Sequence, residues 1–257
     1  LLRFMKRCVA RWPSAPQRFL LSGLSAEITF FFNGEKMTLE ALPLAGDPWQ
    51  IGVDEVGRGP WAGPVCAAAV VLGEAGSCLR GLADSKRLTP PRRAQLAEAI
   101  HAAAAGVALG WATVAEIDTQ GIWLATAWAM CRAVDALFAQ MAADSALAQL
   151  VRARPILVDG NRLPDWPYAA QAVVRGDATV AAIAAASIVA KVARDRHMEV
   201  LDAQYPGYGF ARHKGYGTAE HALALERLGV SAVHRRSFAP VARWLARAGA
   251  EAAGKER

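Results

Sequence analysis

Asp54 and Glu55 stand side by side within IGVDEVGRGPWAGPVCAAAVVL, residues 51–72, where a buried strand should carry only apolar residues. Two further acids share that setting. Asp159 ends the apolar run Ile156-Leu157-Val158, and Asp177 follows Gly176 at the entry to a long alanine-rich segment. A buried carboxylate without a partner costs on the order of several kcal/mol, so acids in such places pair with a base or hold a cation. Several of them on one sheet edge would repel unless a multivalent cation neutralised them. Oxygen ligands alone favour Mg²⁺ or Mn²⁺ over Zn²⁺, and no His and Cys cluster competes. Two such ions about 4 Å apart can activate water and stabilise the leaving oxygen in phosphodiester hydrolysis. Position alone leaves a second reading open, in which the four are unrelated caps and turn residues.

The elements that must position these acids can be read from the apolar pattern. Gln50–Val56 and Val65–Leu72 flank a glycine and proline turn, giving two strands of a hairpin with the acids at the end of the first. Successive strand residues point to opposite faces, so Asp54 and Glu55 share a face only if the strand bends at its end. Gly57 and Gly59, lacking a Cβ, let the backbone approach a ligand and present N–H groups to it. Thr89 before Pro90-Pro91 predicts an N-cap for a helix over Arg92–Ala105, and Val107–Thr113 reads as a third strand. Asp118 and Thr119 introduce a longer apolar helix running through Phe138, with Trp123 and Trp128 expected in the core. Ile156–Gly160 and Ala172–Arg175 are further strands, and Ala178–Leu201 is a long helix carrying Ser187, Lys191, Arg194 and Asp195. Strand and helix alternation with acids at strand ends predicts an α/β mixed sheet under helices, with the chemistry gathered at one edge.

A second chemical block is YPGYGFARHKGYGT, residues 205–218, in which aromatics alternate with glycine and base. Such a stretch suits a nucleic-acid surface, where rings stack on sugars or bases and cations meet phosphate; a packed glycine-rich loop would look similar. Thr218 reads as the N-cap of a helix over Ala219–Leu228. Of the net charge of +6, residues 1–36 carry +4, from six Lys or Arg against two Glu, so bulk basicity says little. From Tyr205 onward nine basic side chains face four acidic ones, which makes this segment the candidate phosphate-facing surface.

Composition excludes several classes. With 54% hydrophobic and 20% charged residues the chain is an ordered globular protein. No uncharged apolar stretch of spanning length is evident, so no membrane span is expected. Cys8, Cys66, Cys78 and Cys131 lack CxxC spacing and read as free thiols in a reducing cytosol. Residues 1–36 show no clear helix or strand pattern and are expected to lie upstream of the folded domain, with Met37 the natural start.

Taken together, DEVGRGPWAGPV, ADSKRL, VDG, GDATVAAIAAASIVAKVARDRHM, YPGYGFARHKGYGT and HRRSFAPV resemble bacterial ribonuclease HII, the type 2 ribonuclease H family, in family order from Ile51 to Val241. The resemblance implies a ribonuclease H-like α/β fold, a five-stranded mixed sheet flanked by helices with a C-terminal helical extension. It divides the chain into an N-terminal extension over 1–47, a catalytic core over 48–204 and a C-terminal substrate-binding part over 205–257. Asp54, Glu55, Asp159 and Asp177 match the family's catalytic, metal-binding carboxylates. Gly57, Arg58 and Gly59 match the loop that reads a ribose 2'-hydroxyl, Tyr216 the tyrosine that packs at a DNA–RNA junction, and Lys86 a basic position near the substrate. The implied activity is cleavage of RNA in RNA–DNA hybrids and incision 5' of ribonucleotides embedded in duplex DNA. Two divalent ions, Mn²⁺ or Mg²⁺, are the implied cofactors, in a cytoplasmic monomer acting in ribonucleotide excision repair.

Overall fold

In the computed structural model the described residues are 28–32, 35–39, 47–82, 88–141, 145–163 and 166–255. They form strands β1 (Ile28–Phe32), β2 (Glu35–Leu39), β3 (Ile51–Val56), β4 (Val65–Val71), β5 (Gly106–Ala112), β6 (Ile156–Asp159) and β7 (Ala170–Val173). The helices are α1 (Gly73–Ser77), α2 (Pro90–Ala103), α3 (Val114–Gln140), α4 (Ala146–Arg152), α5 (Gly176–Thr179), α6 (Ala181–Gln204), α7 (Phe210–His213), α8 (Ala219–Leu228) and α9 (Ala239–Lys255). The chain divides into two units, Leu1–Pro43 and Leu44–Arg257.

In the larger unit, five strands make one mixed sheet in the order β5-β4-β3-β6-β7. The pairs β3–β4 and β4–β5 are antiparallel, while β3–β6 and β6–β7 are parallel. Residues of β4 alternate between two cores: Val65, Ala67, Ala69 and Val71 pack with α3 and α4, and Cys66, Ala68 and Val70 pack with α2 and α6. With both faces covered, the strand reads as an unbroken apolar run.

Small residues set how closely the helices lie on this sheet. A Cβ added at Gly52 would stand 2.2 Å from the Ala182 carbonyl carbon at the start of α6, and one at Gly110 would stand 2.0 Å from the Ala129 carbonyl oxygen of α3. The alanines of α6 serve the same purpose: Ala182, Ala184, Ala185, Ala186 and Ala190 are all buried. That close packing sets the height of α6 above the end of β3.

Two boundaries and one further feature differ from expectation. Helix α3 starts at Val114 because Thr113 and Glu116 form a reciprocal capping box, so Asp118 lies inside the helix. The Asp118 carboxylate instead accepts from the Arg236 and Ser237 backbone N–H groups at 3.0 and 2.9 Å. The predicted helix from Ala178 is two helices, α5 and α6, broken at Val180, whose backbone is extended. Helix α3 is also long and apolar enough to cross a membrane by length and composition, contrary to the expectation above. Its Ile117, Ala125, Ala129, Met130, Ala133, Val134 and Leu137 are buried in the cluster on the sheet, which accounts for that apolarity.

In the smaller unit β1 and β2 pair antiparallel, with Phe30 opposite Met37. The expectation of no strand pattern before Met37 therefore fails at residues 28–32 and 35–36. The overlooked signal is Asn33-Gly34 between ITFFF and EKMTL, the residue pair most favoured in two-residue hairpin connections.

Gly52→Ala is expected to destabilise the protein by about 1–3 kcal/mol or more, because the new methyl meets helix backbone that no rotamer change can move. The shift in urea midpoint relative to wild type measures it.

Candidate functional site

The carboxyl ends of β3 and β6 lie next to each other. Val53 pairs with Val158, so Asp54 and Asp159 are the next residues along two adjacent parallel strands. By strand alternation Asp54 shares the face of Gly52, under α6, where its carboxylate is hydrogen-bonded to Ser187. Glu55 takes the opposite face and is paired with Arg58 at 3.2 Å. The strand end does not bring the two acids onto one face, yet they remain close enough to repel.

Asp177 joins them through the backbone. Asp159 Oδ1 accepts from the Gly176 N–H at 2.7 Å and from the Asp177 N–H at 3.3 Å. Arg175 adopts left-handed backbone geometry at φ 56° to make that turn, and a Cβ at Gly176 would come within 3.3 Å of Asp159 Oδ1. Asp54 and Asp177 are both buried. Burial holds the Asp54 carboxyl well above the ordinary range, and the charges of Glu55 and Asp159 add to the effect. Burial likewise raises Glu55, opposed by Arg58. Among the described residues no three His, Cys, Asp or Glu side chains are grouped as a ready-made metal cage. The oxygen-only donor set and the mutual repulsion nevertheless fit a hard divalent cation, which would relieve both.

The loop after β3 is held from behind by two arginines with no exposed surface. Arg235 donates from Nε to the Gly63 carbonyl at 2.9 Å, from Nη1 to Arg58 at 2.9 Å and from Nη2 to Gly57 at 2.6 Å. Arg194 donates to the carbonyls of Pro64, Lys214 and Ala62 at 3.0, 3.0 and 3.2 Å. Gly57 has φ 95°, and a Cβ there would meet Arg194 Nε at 2.1 Å, so only glycine fits. Burial lowers the basicity of both guanidinium groups, and in Arg235 the Arg194 charge adds to it. Three carbonyl acceptors each keep them protonated. Arg235 was read from sequence as part of a charged surface; it is interior.

Tyr216 is 43% exposed, and its ring faces Gly59, where a Cβ would stand 3.6 Å from Tyr216 Cε1. The Trp61 N–H donates to the Gly215 carbonyl at 2.8 Å, so the two loops are sewn together. Behind them His221 and His234 are hydrogen-bonded to each other and His213 stacks on His221 at 4.5 Å, with tautomers that follow from the backbone. The Gly215 N–H donates to His213 Nδ1, leaving its Nε2–H for the Tyr208 carbonyl. The Ser231 N–H donates to His234 Nδ1, so His234 Nε2–H donates to His221 Nε2 at 3.0 Å, and His221 Nδ1–H donates to the Tyr216 carbonyl at 3.0 Å. Burial depresses His221 and His234 to about 4, which keeps these two rings neutral.

Of the residues singled out by sequence, Asp54, Glu55, Asp159 and Asp177 meet at one edge, with Gly57, Arg58, Gly59 and Tyr216 beside it. Lys86 lies outside the described residues. Ser187, Arg194 and Arg235 were missed as supports. The first two share a helical spacing with Ile183, Ala190, Met198 and Leu201 on the inner side of α6, a pattern that places them on that side without naming their partners.

The ribonuclease HII family model matches residues 51–241. The chain belongs to the ribonuclease HII family. It is therefore a type 2 ribonuclease H, an enzyme family of endoribonucleases acting on RNA–DNA hybrids. Ribonuclease HII of Laribacter hongkongensis is 56% identical over 197 residues, 76% of this chain and 93% of that protein. That of Halorhodospira halophila is 54% identical over 196 residues, 76% of this chain and 94% of its own length. Among solved structures, ribonuclease H2 from Pyrococcus horikoshii superposes with a TM-score of 0.58 at 24% identity, covering 77% of this chain and 97% of that one. Bst-RNase HIII in complex with Mn²⁺ superposes with a TM-score of 0.58 at 16% identity, covering 96% and 97%. These two establish the ribonuclease H-like fold alone.

Because Asp54 is buried among like charges, Asp54→Asn is expected to raise stability when EDTA removes divalent ions. The sign follows from the raised carboxyl: above its folded value the charged form is penalised, and the amide has no charge to penalise. A urea midpoint in EDTA at pH 8 that falls below wild type contradicts the electrostatic account of the site.

Proposed function

We propose that this protein hydrolyses RNA within RNA–DNA hybrids and incises on the 5' side of a ribonucleotide embedded in duplex DNA, leaving 3'-hydroxyl and 5'-phosphate ends. The observation carrying this reading is the placement of Asp54 and Asp159 on adjacent strand ends, with Asp159 tied to the Asp177 backbone, beside the Gly57–Gly59 loop and Tyr216. Asp54, Glu55, Asp159 and Asp177 would hold two divalent ions, Mg²⁺ or Mn²⁺, whose chemistry is to lower the pKa of water and neutralise charge on the phosphodiester. Mn²⁺ is bound in the Bst-RNase HIII structure.

The chain's own residues have separate tasks. Arg194 and Arg235 take up carbonyls of the loop, fixing the backbone of Gly57, Arg58 and Gly59 toward the substrate without a flexible side chain in between. A 2'-hydroxyl is both donor and acceptor, so a rigid backbone can distinguish ribose from deoxyribose. Tyr216, held at its carbonyl by His221, offers a ring on which the sugar at a DNA–RNA junction can rest. No side-chain nucleophile is needed; positioning and charge neutralisation supply the rate. Lys86 is proposed to meet substrate phosphate. The protein is proposed to work in the cytoplasm as a monomer in ribonucleotide excision repair, with residues 1–47 as an extension outside the catalytic core and residues 205–257 as the substrate-binding part. The Archaeoglobus fulgidus ribonuclease HII has been solved in complex with PCNA.

Three labelled duplexes test the reading: an RNA–DNA hybrid, a DNA duplex with one ribonucleotide, and all-DNA, each with Mg²⁺, Mn²⁺ or EDTA. Cleavage of the first two with either ion, and of none in EDTA, is expected. Asp54→Asn should bind hybrid and lose activity by about two orders of magnitude or more. A resolvase-like nuclease would cut all-DNA, and a binding protein would cut nothing. Tyr216→Ala should reduce the preference for a junction over plain DNA by about tenfold while leaving the urea midpoint near wild type; unchanged preference removes that role.

A further inference from the structure

Trp123 was expected in the core, and it is 38% exposed on the face of α3 near the catalytic edge. Two guanidinium groups lie over its indole, Arg162 at 4.8 Å and Arg58 at 5.4 Å from the ring centroid. Each belongs to a loop leaving a catalytic strand. Arg58 follows Glu55 by three residues and is paired with it, and Arg162 follows Asp159 by three residues. Trp123 therefore bridges the two loops that carry the acids, although it comes from a third element.

We propose that Trp123, Arg162 and Arg58 form a phosphate-binding shelf that takes a backbone phosphodiester of the duplex next to the cleavage position. The proposal rests on the nuclease reading and adds to it a contact outside the carboxylates and the Gly57–Gly59 backbone. Cation–π contact holds a guanidinium in place without neutralising it, so its N–H groups stay available to an anion. Among the described residues Arg162 has no carboxylate partner, and the Arg58 side chain is 44% exposed. Planar guanidinium groups match phosphate oxygens in paired hydrogen bonds. A phosphate approaching Asp54, Glu55 and Asp159 meets their repulsion first; Arg58 already offsets part of it through its pair with Glu55, and Arg162 adds a second cation beside them.

Fluorescence anisotropy in EDTA, with nothing cut, separates this shelf from the chemistry. Affinity for a short fluorescein-labelled hybrid is measured against salt for wild type, Arg162→Gln, Arg162→Lys, Trp123→Ala and Trp123→Phe. Loss of one phosphate contact lowers the slope of log affinity against log salt by about one. That reduction is expected for Arg162→Gln and for Trp123→Ala, with affinity falling alike on hybrid and ribonucleotide-containing duplex. Trp123→Phe should keep most of the slope, because a smaller ring still attracts a cation, and Arg162→Lys should keep the charge. Urea midpoints within error of wild type show that the exposed Trp123 position is not a folding determinant. Wild-type slopes in both Arg162→Gln and Trp123→Ala overturn the shelf while leaving the nuclease reading intact. A wild-type protein that neither binds nor cuts the hybrid overturns both.

Discussion

Gathering carboxylates at the carboxyl ends of β3 and β6 is electrostatically unfavourable, and much of the surrounding structure serves to tolerate it. Asp54 is buried under α6 with Ser187 as a partner, Glu55 leans on Arg58, and Asp159 is occupied by two backbone N–H groups of the turn into α5. Each acid thus has a separate local donor, which disperses the repulsion without cancelling it. The raised carboxyls of Asp54 and Glu55 show what is left over. A site of this kind is less stable than it could be, and the deficit is what a divalent cation would recover on binding.

Opposite charge is placed behind the site and not within it. Arg194 and Arg235 are fully buried with carbonyl oxygens as their acceptors. Had they been paired with carboxylates, their charge would have been cancelled at short range. Bonded to carbonyls, they hold the loop in place and keep their charge. The neutral His221 and His234 pair fits the same scheme, since a further cation behind Tyr216 would add to the repulsion already acting between the two arginines.

The fold was legible where one physical signal dominated. The unbroken apolar run of β4, the Pro90-Pro91 start of α2 and the Thr218 cap of α8 are local signals, and each element lies within a few residues of its expected place. Sequence misjudged places where two local signals competed. Asp118 could have capped a helix, but Thr113 with Glu116 offered a reciprocal cap one turn earlier, and Asp118 was left free to receive the chain at Arg236 and Ser237, 118 and 119 residues away. Arg235 and Arg236 are adjacent and chemically alike. Only tertiary packing distinguishes the buried one from the exposed one, so no reading of a basic run could have done so.

Long-range placement explains why the acids could be found from sequence and their supports could not. A carboxylate at the end of an apolar strand violates the local pattern and is visible for that reason. Ser187 and Arg194 violate little, because one polar residue per turn on a helix is ordinary; they become informative only once α6 is known to press on β3 over Gly52. That single close approach puts Ser187 within reach of Asp54, and two turns further along α6 it puts Arg194 against Gly57. A side chain at residue 52 would push the helix away from both Asp54 and Gly57 at once, so the absence of one methyl group shapes this edge of the sheet as much as the carboxylates do.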